Sequence, residues 1–214
     1  MNNFLAFLSK ESGMVLTAIT QHIVISLTAI LLGMLVALPA GVLLTNQKKV
    51  ASAVLGVFGI INTIPSLVLL GVAMMVLGLG FVPAVAVLFI YSLLPIMRNT
   101  YIGINDVDAK YSKAARGMGM SRMQILLKVQ VPLALPVIIA GIRLSAVYII
   151  SWATLSAFIG AGGLGDLIWM GLQSYNYNMV LAGAFPATIL ALCTSFLLSW
   201  AEKSASRYVS AVRR

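Results

Sequence analysis

Long runs without a charged residue dominate the pattern of hydrophobic and polar positions. Residues 12–47 carry no charge and their apolar part covers about 15–44, which predicts one long membrane helix. Residues 50–97 are again free of charge. One span needs roughly 20 apolar residues, so this block predicts two helices. The run Gly78-Leu79-Gly80-Phe81-Val82-Pro83 supplies the break, because glycines permit a turn and proline suits the start of a helix. A polar, basic segment follows at 98–130, too charged for hydrocarbon. Residues 133–159 and 179–200 then predict the fourth and fifth spans. Five spans put the two termini on opposite sides. No soluble domain, low-complexity tract or repeat interrupts the series.

Composition agrees with this pattern. Of 214 residues, 61% are hydrophobic and 9% are charged, against roughly 45–50% and about 25% in soluble domains. The bilayer is therefore the expected solvent, which excludes a soluble enzyme, a disordered regulator and a secreted disulfide scaffold. The net charge of +9 does not point to nucleic acid, because the basic residues sit between apolar blocks. Placing the 98–130 segment inside also puts inside Lys48, Lys49, Lys203, Arg207, Arg213 and Arg214. With Arg98, Lys110, Lys113, Arg116, Arg122 and Lys128, that makes twelve of the fourteen Lys and Arg residues. Lys10 alone falls outside, and Arg143 lies within the fourth span. The positive-inside rule then sets the N-terminus outside and the C-terminus cytoplasmic. Trp200 and Tyr208 fall near the inner interface, Trp169 and Tyr175 near the outer one. The first residues lack a basic leader and cleavage site, so no removable signal peptide is expected. Cys193 is the only cysteine, which rules out an internal disulfide.

Several chemistries are missing. Glu11, Asp106, Asp108, Asp166 and Glu202, the only carboxylates, all fall in termini or loops of this reading. Coupled carriers commonly use intramembrane carboxylates, which argues against a secondary transporter or channel half. His22, the only histidine, has no companion at ligand spacing and reads as a packed or interfacial side chain, so no metal site is expected. Residues 160–165, Gly-Ala-Gly-Gly-Leu-Gly, satisfy the dinucleotide pattern G-x-G-x-x-G. They follow a membrane helix rather than a strand, and Phe185 stands where an acid is required. A tight turn with close backbone approach is the better reading. No phosphate-binding G-x-x-x-x-G-K-[ST] occurs, so the chain does not hydrolyse ATP by itself, and neither a catalytic site nor a cofactor is expected.

The informative segment is the basic one. Residues 108–118 predict a short helix with small residues Ala114 and Ala115, and Gly119 suits the left-handed position that ends it. Ser121 and Gln124 form a capping box that starts a second helix. Pro132 then marks the return to the membrane. Such a helix–turn–helix elbow is either a solvated loop that fixes topology or a docking element with small residues at its surface.

This segment resembles the coupling loop of permease subunits in ATP-binding-cassette importers, E-A-A, three residues, G, nine residues, I-x-L-P. Ala114-Ala115, Gly119 and Val129-x-Val131-Pro132 match it. Lys113 stands in place of the Glu, and the two valines replace Ile and Leu. Asn62-Thr63-Ile64-Pro65-Ser66-Leu67, Leu94-Pro95-Ile96-Met97-Arg98-Asn99-Thr100 and the run from Phe158 to Gly165 resemble osmoprotectant permeases for glycine betaine, carnitine or choline. The last run is shared with methionine permeases. The resemblance implies an all-α, five-span type I importer permease fold like that of methionine importers, in a bacterial cytoplasmic membrane. Residues 1–13 would be a short external segment, 14–201 the transmembrane domain with a coupling loop at 98–131, and 202–214 a basic cytoplasmic tail. An ATPase dimer would dock at Ala114, Ala115, Gly117, Gly119, Ser121 and Arg122. An extracellular solute-binding protein would deliver the solute, and a second permease subunit, identical or homologous, would complete the path. Another small solute such as methionine is the alternative cargo, and a non-transport assembly factor a more distant reading.

In the fourth span Gly141, Ser145, Tyr148, Trp152 and Ser156 share one helical face. That face suits helix packing or a wetted path, with Ser145, Tyr148, Trp152 and Ser156 as candidate lining. Tyr148 and Trp152 add π faces for a quaternary ammonium. Arg143 is expected to make a structural pairing near the inner cavity rather than contact the solute.

Overall fold

A computed structural model describes residues 2–212. Met1, Arg213 and Arg214 lie outside the described residues, so the two terminal arginines of the charge count are not placed. The helices are α1 (Asn2–Lys10), α2 (Ser12–Leu44), α3 (Lys48–Thr63), α4 (Ser66–Leu77), α5 (Phe81–Asn105), α6 (Ala109–Gly117) and α7 (Arg122–Ile125). After a π-turn at Leu126–Gln130 come α8 (Val131–Trp152), a 3₁₀ stretch at Ala153–Ile159, α9 (Leu164–Gln173) and α10 (Tyr177–Val212). Among the described residues four helical stretches are long and apolar enough to cross a bilayer, and the bent pair α3–α4 reaches that length and hydropathy only when its two helices are counted together.

The bent pair corrects the expected second span. The charge-free run predicts one helix over 50–77; the chain instead forms α3 and α4, inclined at 94° to each other. Pro65 is the cause. It has no N–H to donate, and its ring drives Ile64 out of the helical region to φ −68°, ψ 131°. The break before α5 lies where the glycines placed it, with Gly78 and Gly80 at φ 82° and 100°.

The fourth span is entered without a gap. α8 begins at Val131 with Pro132 in its first turn, as expected, but residues Arg122–Ile159 form one long helical stretch. Pro132 cannot donate to the preceding turn, and the chain absorbs the missing bond by widening: the Val131 N–H reaches back to the Leu126 carbonyl. The elbow's second helix thus continues into the membrane span without a joint.

Close packing comes from small residues. α5 lies between α2 and α8. A Cβ on Gly33 would collide with the Ser92 side chain, and one on Gly41 would come within 2.9 Å of the Met97 carbonyl. On the other side, a Cβ on Gly141 would lie 2.5 Å from Asn99 Cβ and 2.9 Å from the Pro95 carbonyl. Such glycines let backbones approach where lipid supplies no hydrophobic drive between helices. The outer faces are apolar and open, including Leu27, Leu31 and Leu35 on α2, and Ile189, Leu192 and Phe196 on α10. At the end remote from the elbow α9 packs on α10. Asp166 in its first turn is half-buried, and burial pushes its carboxyl above the ordinary carboxylate range.

Candidate functional site

The elbow forms as its residues dictate. The Asp108 side chain caps α6 by accepting from the Lys110 N–H at 2.9 Å. Gly119 takes φ 79° at the other end. There the Gly119 N–H reaches the Arg116 carbonyl at 3.0 Å and the Met120 N–H the Ala115 carbonyl at 3.1 Å. That pair of bonds satisfies carbonyls the helix would otherwise leave open. The capping box is complete: Gln124 N–H donates to Ser121 Oγ at 3.3 Å, and Ser121 N–H donates to Gln124 Oε1 at 2.8 Å.

Ala114, Gly117, Gly119, Ser121 and Arg122 are all exposed on this elbow. Ala115 is placed differently: it is only 1% exposed and faces into the chain. Its smallness lets α6 sit close, and it offers no surface to a partner. The sequence reading missed Met118, Met123 and Leu127, which project apolar side chains into solvent beside Arg116 and Arg122. An apolar side chain at the tip of a basic, polar loop was the available signal, because flexible methionines suit adaptable docking faces. Asn46, after α2, lines the same groove as Ser112, Arg116, Arg122 and Gln130.

The stripe on α8 divides. Ser145 is buried and its hydroxyl donates to the Ser92 carbonyl of α5 at 3.2 Å. Ser156 is buried in the 3₁₀ stretch and donates to the Ala153 carbonyl at 2.6 Å. Tyr148 and Trp152 remain partly open and stack on each other, centroids 5.5 Å apart with planes at 24°. Trp152 also meets the ring of Tyr91 edge-on at 4.7 Å and 62°. Each such pair contributes about 0.5–1.5 kcal/mol beyond its buried area, so the three rings hold one another's orientation. Tyr91 was not legible from α8 alone, since it comes from α5.

Arg143 has the structural partner expected of it. Its Nη2 lies 3.2 Å from Glu202 Oε2. That partner comes from the helix running on: α10 is continuous past Trp200 and carries Glu202 in its last turns, against the neighbouring α8.

His22 is a packed side chain. It is fully buried, and its Nε2–H donates to the Ile150 carbonyl at 3.0 Å. The glycine-rich run wraps over the same part of α2. Gly160, Gly162 and Gly163 take φ 67°, 84° and 93°, and the Gly163 N–H donates to Gln21 Oε1 at 3.0 Å. A Cβ on Gly165 would collide with the Thr154 carbonyl. The run is a tight turn with close backbone approach, spent on holding α9 against α2 and the 3₁₀ stretch. Among the described residues no three metal-ligating side chains of His, Cys, Asp or Glu gather in one place.

Residues 29–207 match the family described as "Binding-protein-dependent transport system inner membrane component". The carnitine transport permease protein OpuCB of Listeria monocytogenes is 48% identical over 202 residues, covering 94% of this chain and 93% of that protein. The glycine betaine/carnitine/choline transport system permease protein OpuCB of Bacillus subtilis (strain 168) is 46% identical over 203 residues, covering 95% and 94%. A chain of the MetNI methionine ABC transporter in an inward-facing conformation superposes with a TM-score of 0.80 at 20% identity, over 92% of this chain and 98% of that one. The arrangement of spans is thus the type I importer permease fold.

Proposed function

Since the chain belongs to the binding-protein-dependent transport system inner membrane components, we propose that it imports quaternary-ammonium solutes: glycine betaine, carnitine or choline. It is a multi-pass inner-membrane permease subunit of an ABC transporter, working with an ATPase and a substrate-binding protein. The observation that supports this cargo is the similarity, over almost the full length of both chains, to permeases named for these solutes.

In this reading an ATPase dimer docks on the exposed face of Ala114, Gly117, Gly119, Ser121 and Arg122, while Ala115 sets the elbow's seat beneath them. Met118 and Met123 add apolar contact. ATP hydrolysis belongs to the partner. Elbow motion passes straight into the fourth span, because α7, the π-turn and α8 form one stretch. Residues 14–201 are the transmembrane domain with its loop at 98–131, 1–13 lie outside, and 202–214 lie in the cytoplasm. A second permease, identical or homologous, faces the open rings of Tyr148 and Trp152 across the path. Ser145 and Ser156 frame that face from within the packing. A zwitterion or cation needs no fixed counter-charge there, and ring contacts of roughly 0.5–2 kcal/mol let it leave again.

The test is ATPase activity of the complex purified from membranes, measured with the binding protein and candidate solutes. Stimulation by glycine betaine, carnitine or choline is expected. Stimulation by methionine alone, or an ATPase that never co-purifies, would sink the assignment.

A further inference from the structure

Two interruptions of regular helix meet at one ring cluster. The second span breaks at Ile64 and Pro65, and α8 tightens into the 3₁₀ stretch immediately after Trp152. Tyr91 touches both. Its hydroxyl donates to the Ile64 carbonyl at 2.6 Å, and its ring meets Trp152 edge-on at 4.7 Å. Irregular backbone at membrane depth persists only where protein covers it or a cavity is lined by it. A 3₁₀ stretch within a long helix often marks a hinge. Tyr91 is 2% exposed and out of a solute's reach, whereas Tyr148 is 43% exposed. The open rings can meet a solute, and the buried one can only set how they are held.

We infer that Tyr91 is a positioning residue for recognition of a trimethylammonium group. Anchored on the broken span, it fixes the tilt of Trp152 and with it the stacked face that Trp152 and Tyr148 present. This rests on the assignment of those two rings to the solute path. A quaternary ammonium has no N–H to donate, so acceptors cannot select it; a π face at the right tilt can. A protonated dimethylamine keeps one N–H, gains from any nearby carbonyl, and depends less on the rings. Tyr91 thereby sets selectivity between the two, and the angle between α3 and α4 sets Tyr91.

The experiment uses the complete permease–ATPase complex in lipid nanodiscs, with Trp169→Phe and Trp200→Phe so that Trp152 is this chain's only tryptophan reporter. Its emission is titrated with choline and with N,N-dimethylethanolamine. Tyr91→Phe keeps the ring and deletes the hydroxyl. It should weaken choline binding by about 3- to 10-fold, within the range of one ring contact, and move the ratio of the two affinities toward one at unchanged complex yield. Pro65→Ala, which lets the span straighten without touching a ring, should move the ratio the same way and decides the matter if Tyr91→Phe fails to assemble. An unchanged ratio in these variants, with or without lost yield, overturns the role of Tyr91. If Tyr148→Leu still weakens choline binding in that case, the ring path stands without Tyr91. No choline-dependent change in the parent complex removes the ring path and this inference together.

Discussion

Gly119 and Tyr175 close two helices with the same pair of backbone bonds, yet only one of them is a glycine. After α9 the Tyr175 N–H reaches the Leu172 carbonyl at 3.4 Å and the Asn176 N–H the Gly171 carbonyl at 2.8 Å. Tyr175 does this at φ 55° with its ring 85% exposed. A side chain in the left-handed region costs roughly 1 kcal/mol that glycine avoids. Tyr175→Gly should therefore raise stability by about 1 kcal/mol, seen as a higher melting temperature in detergent; a lower one would mean that the ring makes a stabilising contact. Gly119 allows the opposite experiment. No atom lies within 4 Å of a Cβ built there, so Gly119→Ala meets only the backbone cost of about 1 kcal/mol. Gly119→Asp adds a carboxylate to the proposed docking face at a similar backbone cost. Pull-down of the ATPase should survive the alanine and be largely lost with the aspartate. Equal loss in both would reduce Gly119 to a helix stop.

Among the elements, what the sequence made legible was what neighbouring residues decide. The capping box of Ser121 and Gln124, the turn at Gly119 and the break at Gly78–Gly80 need only residues a few positions apart, and all three occur as read. Pro65 is as local a signal, but charge-free length does not register it, because a proline that bends a helix by 94° leaves that length unchanged. Pairs between distant elements were out of reach. Nothing local joins Tyr91 to Ile64, or Arg143 to Glu202, until α5 and α10 are placed. The last pair ties α8, the helix that continues the elbow, to α10. Removing one partner of a half-buried pair strands the other charge, so Arg143→Ala and Glu202→Ala should each destabilise more than the double variant Arg143→Met/Glu202→Met. The coupling expected from a double-mutant cycle is about 1–3 kcal/mol, read from thermal unfolding of the purified complex. Additive losses would show that the two charges act separately.

Across the described residues most of the basic side chains gather at one end of the bundle, Lys10 and Arg143 apart. Asn46, just before Lys48 and Lys49, shares a groove with Ser112, Arg116 and Arg122 of the elbow. α10 leaves the bundle towards that end too, carrying Lys203 and Arg207 beyond the Arg143–Glu202 pair. At the opposite end lie the glycine-rich run, α9 and the turn at Ser174 and Tyr175. The fold alone fits a membrane either way up; the orientation proposed above, with the elbow inside, rests on the charge asymmetry, because lysines and arginines are retained on the cytoplasmic side. With the elbow inside, its exposed methionines and arginines face the compartment that supplies ATP, and α9 faces the one that supplies solute. Substituted cysteines at Ser112 and Ser174, with Cys193→Ser to remove the native thiol, report this directly. Ser174 is exposed after α9 and Ser112 lies on α6. In intact cells a membrane-impermeant maleimide should label the cysteine at 174 and leave the one at 112 unmodified until the membrane is opened. Labelling of 112 from outside would invert the molecule, and would place the elbow where no ATPase could reach it.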